Sequence, residues 1–200
     1  IQKCLSEKAA FELDKQLFLL IAKGRVQMPP KLYLNTSDKA HSDFRAMPAC
    51  LTMGRRVIAG MKWVSVFPDN RFSRCPTVSA SILLSSGQTG QPLAFMEGNT
   101  ITAMRTAAAA AIATHFLAVS RPRKIAIVGA GVQAEYQLRA HARLFRFGEM
   151  AVWGVAHGEA AAFCKKELRR HSSWPLKACG TIKSCVENAD VIVTCTPSRK

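Results

Sequence analysis

Residues 124–137 read KIAIVGAGVQAEYQ: a short apolar run, then Gly129, Ala130 and Gly131, then an amphipathic stretch. A buried strand, a glycine turn and a helix in that order form the pattern that cradles a dinucleotide pyrophosphate. Gly129 permits the tight turn, Gly131 lets backbone amides approach a phosphate, and Ala134 lets the helix lie close to the sheet. The helix N-terminus then supplies free N–H groups and the positive end of its dipole. The competing reading is a glycine turn in a doubly wound domain that binds no nucleotide.

A dinucleotide site is normally completed by an acidic residue at the end of the second strand, about 20 residues on, which holds the adenosine ribose. Here that region reads AVWGVAHGEAAAF, with Gly154 and Val155 where a carboxylate or an arginine is expected. His157, Lys165 and Lys166 lie just beyond and could meet a phosphate. NAD versus NADP stays open, inclining toward NADP.

The surrounding pattern supplies the elements that would position this turn. KIAIV, MAVWGV and VIVTCT read as strands, 132–146 and 158–171 as helices, and 176–188 as a further short strand and helix. Such alternation means βαβ units and a parallel sheet. Upstream, the alanine-rich TITAMRTAAAAAIATHFLA should be one long helix with Thr100 or Thr102 near its cap, followed by a basic linker, VSRPRK. At the front, Leu5, Ala9, Leu13, Leu17 and Leu20 give residues 1–23 a helical period that Gly24 ends. Pro29 and Pro30 keep MPPKLYL extended, and DFRAMPA, VIAGMKWVSVF, TVSASILLSS and PLAFMEG read as a largely antiparallel layer. The fold class expected is α/β: a partial Rossmann-type parallel sheet plus an α+β domain, divided at 1–118 and 119–200.

Composition narrows the alternatives. With 48% apolar and 20% charged residues the chain has the balance of a soluble globular protein. The longest apolar stretch is interrupted by Arg105 and His115, so a membrane span is not expected. The first sixteen residues carry charges throughout, without a signal-peptide core, and the chain does not begin with Met. Seven cysteines at scattered spacings include no C-x-x-C pair, which speaks against a metal site and for reduced thiols in a cytoplasmic protein. The net charge of +15 attracts anions of any kind. A nucleic-acid binder would interleave aromatic residues with its basic clusters, and the two Tyr and three Trp lie outside RPRK, Arg139/Arg143/Arg146 and KKELRRH.

Four further segments, MPPKLYL (28–34), DFRAMPA (43–49), GMKWVSVFPDNR (60–71) and MEGNTITAMRTAAAAAIA (96–113), precede AIVGAGVQAEYQ and ADVIVTCTPS. In this order and spacing they resemble the ornithine cyclodeaminase/μ-crystallin family over nearly the whole chain. The family includes ornithine cyclodeaminases, alanine dehydrogenases, ketimine reductases and the hormone-binding μ-crystallin. The resemblance implies an NAD(P)-binding domain over 119–200 and a substrate-binding, dimer-forming domain over 1–118. It implies that Arg45, Lys62 and Arg105 face a small amino-acid or imino-acid substrate, with Arg105 also near the cofactor. A carboxylate is best gripped by a bidentate guanidinium, which suits Arg45 and Arg105. Lys62 stands in an apolar run, where a lone ammonium is costly unless it has a role, and desolvation would let it exchange protons near neutrality. Thr77 matches a position that contacts the nicotinamide cofactor. Val132 and Gln133 would offer backbone amides to the pyrophosphate, and Thr196 ends a strand at the ligand edge of the sheet.

The chain also departs from the family. Gly154 stands where the NAD enzymes carry their ribose-binding acid, and the chain stops at Lys200, before the catalytic aspartate that follows the TPS strand. It is therefore read as a piece of a longer protein, the alternative being a truncated relative without catalysis. The activity expected is an NAD(P)-dependent oxidoreductase or deaminating cyclase, acting as a homodimer in the cytoplasm. A non-catalytic NAD(P)H-binding protein like μ-crystallin is the other reading.

Overall fold

The computed structural model describes residues 4–36 and 42–196. The first residues of the helix expected over 1–23, and Pro197 and Ser198 of ADVIVTCTPS, lie outside them. Two compact units result: Lys15–Thr102 forms most of one, and Ser6–Asp14 with Ala103 onward forms the other. Two helices, α1 (Glu7–Ala22) and α2 (Asn99–Leu117), each contribute to both.

The first unit is an antiparallel sheet. Its strands are β1 (Val26–Gln27), β2 (Leu32–Asn35), β3 (Asp43–Met53), β4 (Arg56–Val66), β5 (Val78–Ser86) and β6 (Pro92–Glu97), in the order β1-β3-β4-β5-β6 with β2 also on β3. β3 runs past the DFRAMPA segment to Met53, because Gly54 adopts a positive φ of 58° and turns the chain straight into β4. Gly98 follows β6 and passes so close to Ala80 that a Cβ would lie 3.0 Å from the Ala80 side chain.

At the start of α2 the free amides of Asn99 and Thr100 are taken by the Glu97 carboxylate. An acidic group at a helix N-terminus also meets the positive end of the dipole. Glu97, ahead of the helix, thus takes its first amides, and Thr100, expected near the cap, is the helix's second residue.

In the second unit β7 (Lys124–Val128), β8 (Glu149–Trp153), β9 (Leu176–Ala178) and β10 (Val191–Thr194) form a parallel sheet in the order β10-β7-β8-β9. Three helices alternate with them: α3 (Val132–Leu144), α4 (Glu159–Leu168) and α5 (Ile182–Val186). Ile125, Ile127, Leu138 and Val152 are wholly buried, each worth roughly 1.5–3 kcal/mol of transfer free energy. Met104, Ala107, Ala108, Ala111 and Ile112 bury one face of α2 in the same unit. The buried His141 ring fixes α3 to α2, with Nδ1 at 2.8 Å from the Gln137 carbonyl and Nε2 at 3.0 Å from the Thr114 hydroxyl. Burial holds this imidazole below its ordinary pKa, so it serves as a neutral anchor.

Candidate functional site

In the antiparallel sheet, directly opposed residues point to one face. Arg45 is opposite Val64 and Tyr33, and Lys62 is opposite Met47 and Ile82. Arg45 and Met47 are two apart on β3, as Lys62 and Val64 are on β4, so Arg45 and Lys62 share a face as diagonal neighbours. That face carries the unit's two buried apolar strand residues, Val64 and Ala80. Two of the sequence-derived cations are thus brought together by register alone.

Arg45 is held in place by a residue that the motif reading passed over. Asp43 accepts Arg45 Nε at 2.6 Å and Nη2 at 3.0 Å, and the guanidinium carbon lies 5.3 Å from the Tyr33 ring centroid. The hydrogen bond to Asp43 raises the Arg45 pKa further, against burial. Among the described residues the fork takes two of five N–H donors, leaving Nη1 and the second Nη2 hydrogen for another carboxylate. The signal for Asp43 was present as D-x-R in a strand, where residues two apart lie on one side. Thr77 is an exposed residue just ahead of β5, and its carbonyl accepts the Phe67 amide at 2.8 Å.

The glycine turn belongs to the second unit and is braced by two strand ends. The Gly129 amide donates to the Trp153 carbonyl at 2.7 Å, and a Cβ on Gly129 would meet the Cys195 carbonyl carbon at 2.9 Å and the Thr196 amide nitrogen at 3.1 Å. Gly129 also holds a φ of 112°, which side chains rarely adopt. The turn therefore sits between the ends of β8 and β10, with Thr196 against it. Gly131 is the N-cap of α3 with an ordinary φ of −84°, and a Cβ there would meet no atom of the described residues within 4 Å. Open space at Gly131, rather than backbone strain, is what a bound phosphate requires.

Val132 is exposed at the first turn, while Gln133 Oε1 is buried without a hydrogen-bond partner among the described residues. The first amides of a helix lack intrahelical acceptors, so Val132 and Gln133 offer donors at the dipole's positive end. Together these features fit a dinucleotide.

Arg105 lies on α2 in the second unit and its charge interacts with Asp14 of α1, another residue the motif reading passed over. Burial drives the Asp14 carboxyl up to about 6 even though Arg105 opposes the shift. Arg105 itself is exposed on the helix surface; partial desolvation lowers its pKa, with Asp14 opposing, and the guanidinium keeps its proton throughout the physiological range. Asp14 lies on the inward face of α1 with Ala10 and Phe11, whereas Leu13 and Leu17 of the expected apolar period are exposed. Cys164, Cys185 and Cys195 are each pushed up to about 11, chiefly by burial, so they stay protonated and poorly nucleophilic.

The sequence pattern described as the ornithine cyclodeaminase/mu-crystallin family matches residues 3–200. An alanine dehydrogenase of Archaeoglobus fulgidus is 38% identical over 200 residues, covering 100% of this chain and 59% of its own length. The solved structure of Thermococcus litoralis Δ1-pyrroline-2-carboxylate reductase in complex with NADH and L-proline superposes with a TM-score of 0.87 at 31% identity, covering 95% of this chain and 58% of that one. An archaeal alanine dehydrogenase dimer with bound NAD also gives a TM-score of 0.87, at 38% identity, covering 98% of this chain and 58% of that one. The chain thus spans less than two thirds of the length of these relatives.

Proposed function

The chain belongs to the ornithine cyclodeaminase/mu-crystallin family, and from that premise we propose that the whole protein is an NAD(P)-dependent enzyme acting on a small L-amino acid or its imine. The reaction is either an ornithine cyclodeaminase-like conversion of ornithine to proline with loss of ammonia, or an alanine dehydrogenase-like oxidation. The observation that carries this reading is the pair Arg45 and Lys62 on one sheet face, with the Arg45 fork still holding unused donors.

A bound nicotinamide supplies a hydride acceptor or donor for the substrate's α-carbon. The chain's own residues do the rest. Arg45 and Arg105 grip the substrate carboxylate, and Arg105 also lies beside the cofactor. Lys62 places an ammonium near the reacting nitrogen, orienting it and exchanging a proton with it. Gly129, Gly131 and the amides of Val132 and Gln133 hold the pyrophosphate, with Thr77 and Thr196 as further cofactor contacts. Residues 1–118 belong to the substrate and dimerisation domain, and 119–200 to part of the NAD(P)-binding domain.

The protein works as a homodimer. The face of the first sheet opposite Lys62 exposes Leu32, Leu34, Met61, Trp63 and Phe95, an apolar surface of the kind that a second copy covers. The compartment is the cytoplasm, where thiols stay reduced; all seven cysteines are free. Among the described residues no helix is long and apolar enough to cross a membrane.

The test is reduced-nicotinamide absorbance with the whole protein, offered alanine, ornithine and cyclic ketimines in turn. Turnover of one of them that requires the cofactor is expected. Saturable NAD(P)H binding with no turnover of any would instead favour the non-catalytic, μ-crystallin-like reading.

A further inference from the structure

The end of β8 is where a dinucleotide fold normally presents a carboxylate to the adenosine ribose, and Gly154 occupies that place. The structure shows why no side chain can stand there. A Cβ on Gly154 would lie 2.8 Å from Glu159 Cβ, 2.9 Å from the Ala160 amide nitrogen and 2.9 Å from Glu159 Oε2. The space is already taken, and part of what takes it is a carboxylate.

Glu159 is the first residue of α4 and is only partly buried. Its Oε2 accepts the Ala156 amide at 3.1 Å, which folds the 154–158 loop back over the strand end. Among the described residues it has no ion-pair partner. Of the three bases that the sequence offered for a phosphate, His157, Lys165 and Lys166, the last is engaged with Glu135 at 2.9 Å. The strand end is tied directly to the glycine turn, since Gly129 donates to the Trp153 carbonyl at 2.7 Å. A carboxylate with unused lone pairs therefore adjoins the pyrophosphate cradle, supplied from the helix instead of the strand.

We propose that Glu159 accepts the adenosine ribose hydroxyls in place of the missing strand-end acid, and so makes the protein prefer NAD(H) over NADP(H). The inference rests on the reading of the glycine turn as a dinucleotide site and reverses the inclination toward NADP drawn from the sequence. A carboxylate accepts two hydroxyl donors well, whereas a ribose 2′-phosphate brings like charge against it.

The experiment is fluorescence titration of the whole protein with NADH and with NADPH, for the wild type and for Glu159→Gln. The glutamine keeps an oxygen for the Ala156 amide but removes the charge. The wild type should bind NADH at least about tenfold more tightly than NADPH, and Glu159→Gln should shrink that ratio about tenfold. A purely structural role for Glu159 would weaken both cofactors alike and leave the ratio in place, which overturns the proposal. Equal or tighter NADPH binding by the wild type overturns it without any variant. Binding of neither cofactor defeats the dinucleotide reading itself, and this inference with it.

Discussion

Lys62 stands diagonally across the β3–β4 pair from Arg45, one residue pair along the same face. The ladder between these strands runs unbroken from Asp43↔Val66 to Met53↔Arg56, so neither side chain can change face without a slip of the whole register. Replacing Lys62 by Met keeps the stem and removes the ammonium. If that ammonium exchanges a proton with the reacting nitrogen, kcat falls by roughly 10²–10⁴-fold while the melting temperature holds. Steady-state kinetics beside a thermal melt check this, and unchanged kcat would remove Lys62 from the chemistry.

Asp43 offers a separate handle on the same face. It holds the Nε–Nη2 edge of Arg45, so Asp43→Asn frees the guanidinium to turn without deleting it. The expected result is a rise in KM of about tenfold with kcat nearly unchanged, since a loosened clamp costs mainly uniform binding. A matching fall in kcat would mean instead that Asp43 contributes to the reaction step.

The parallel sheet was readable because its signals are local: apolar strands, a glycine turn, then amphipathic helices. Register on the antiparallel side was readable only in part. The alternation of DFRAMPA and VIAGMKWVSV fixes which residues share a face within a strand, but the pairing that sets Arg45 beside Lys62 depends on where Gly54 turns the chain. Asp43, Asp14 and Glu159 went unnoticed for one common reason. Each acts through a neighbour brought near by packing or by a two-residue strand step, and no motif at fixed spacing records that. The part Glu97 plays at the start of α2 is of the same kind, because it reaches forward from the strand before the helix begins.

The two glycines of the turn should separate folding from binding. Gly129→Ala puts a Cβ 2.9 Å from the Cys195 backbone at a φ of 112°, so it should destabilise the protein by more than about 2 kcal/mol. Gly131→Ala meets open space and an ordinary φ, so its cost is a weaker N-cap, about 1 kcal/mol or less. Yet that methyl group projects from the turn where the phosphate must approach. Denaturant melts should mark Gly129→Ala as the unstable variant, while titration with NADH should show Gly131→Ala binding at least about tenfold more weakly. Tight NADH binding by a well-folded Gly131→Ala would contradict the pyrophosphate assignment.

Asp14 predicts a pH dependence with a definite sign. Its carboxyl rises from an ordinary 3.8 to about 6 in the folded state, with burial outweighing the attraction of Arg105. Between those values the folded protein binds more protons at this group than the unfolded chain does. Stability therefore falls as pH climbs through the window, and the full penalty stands above about pH 6. Asp14→Asn cannot ionise and escapes that penalty, although it also gives up the attraction to Arg105. Because the net shift is upward, the escape outweighs the loss. The variant should melt above the wild type at neutral pH, and the gap should narrow as the pH approaches 4. Thermal melts across that range decide it: a variant that is less stable at neutral pH would show that the Arg105 interaction outweighs burial.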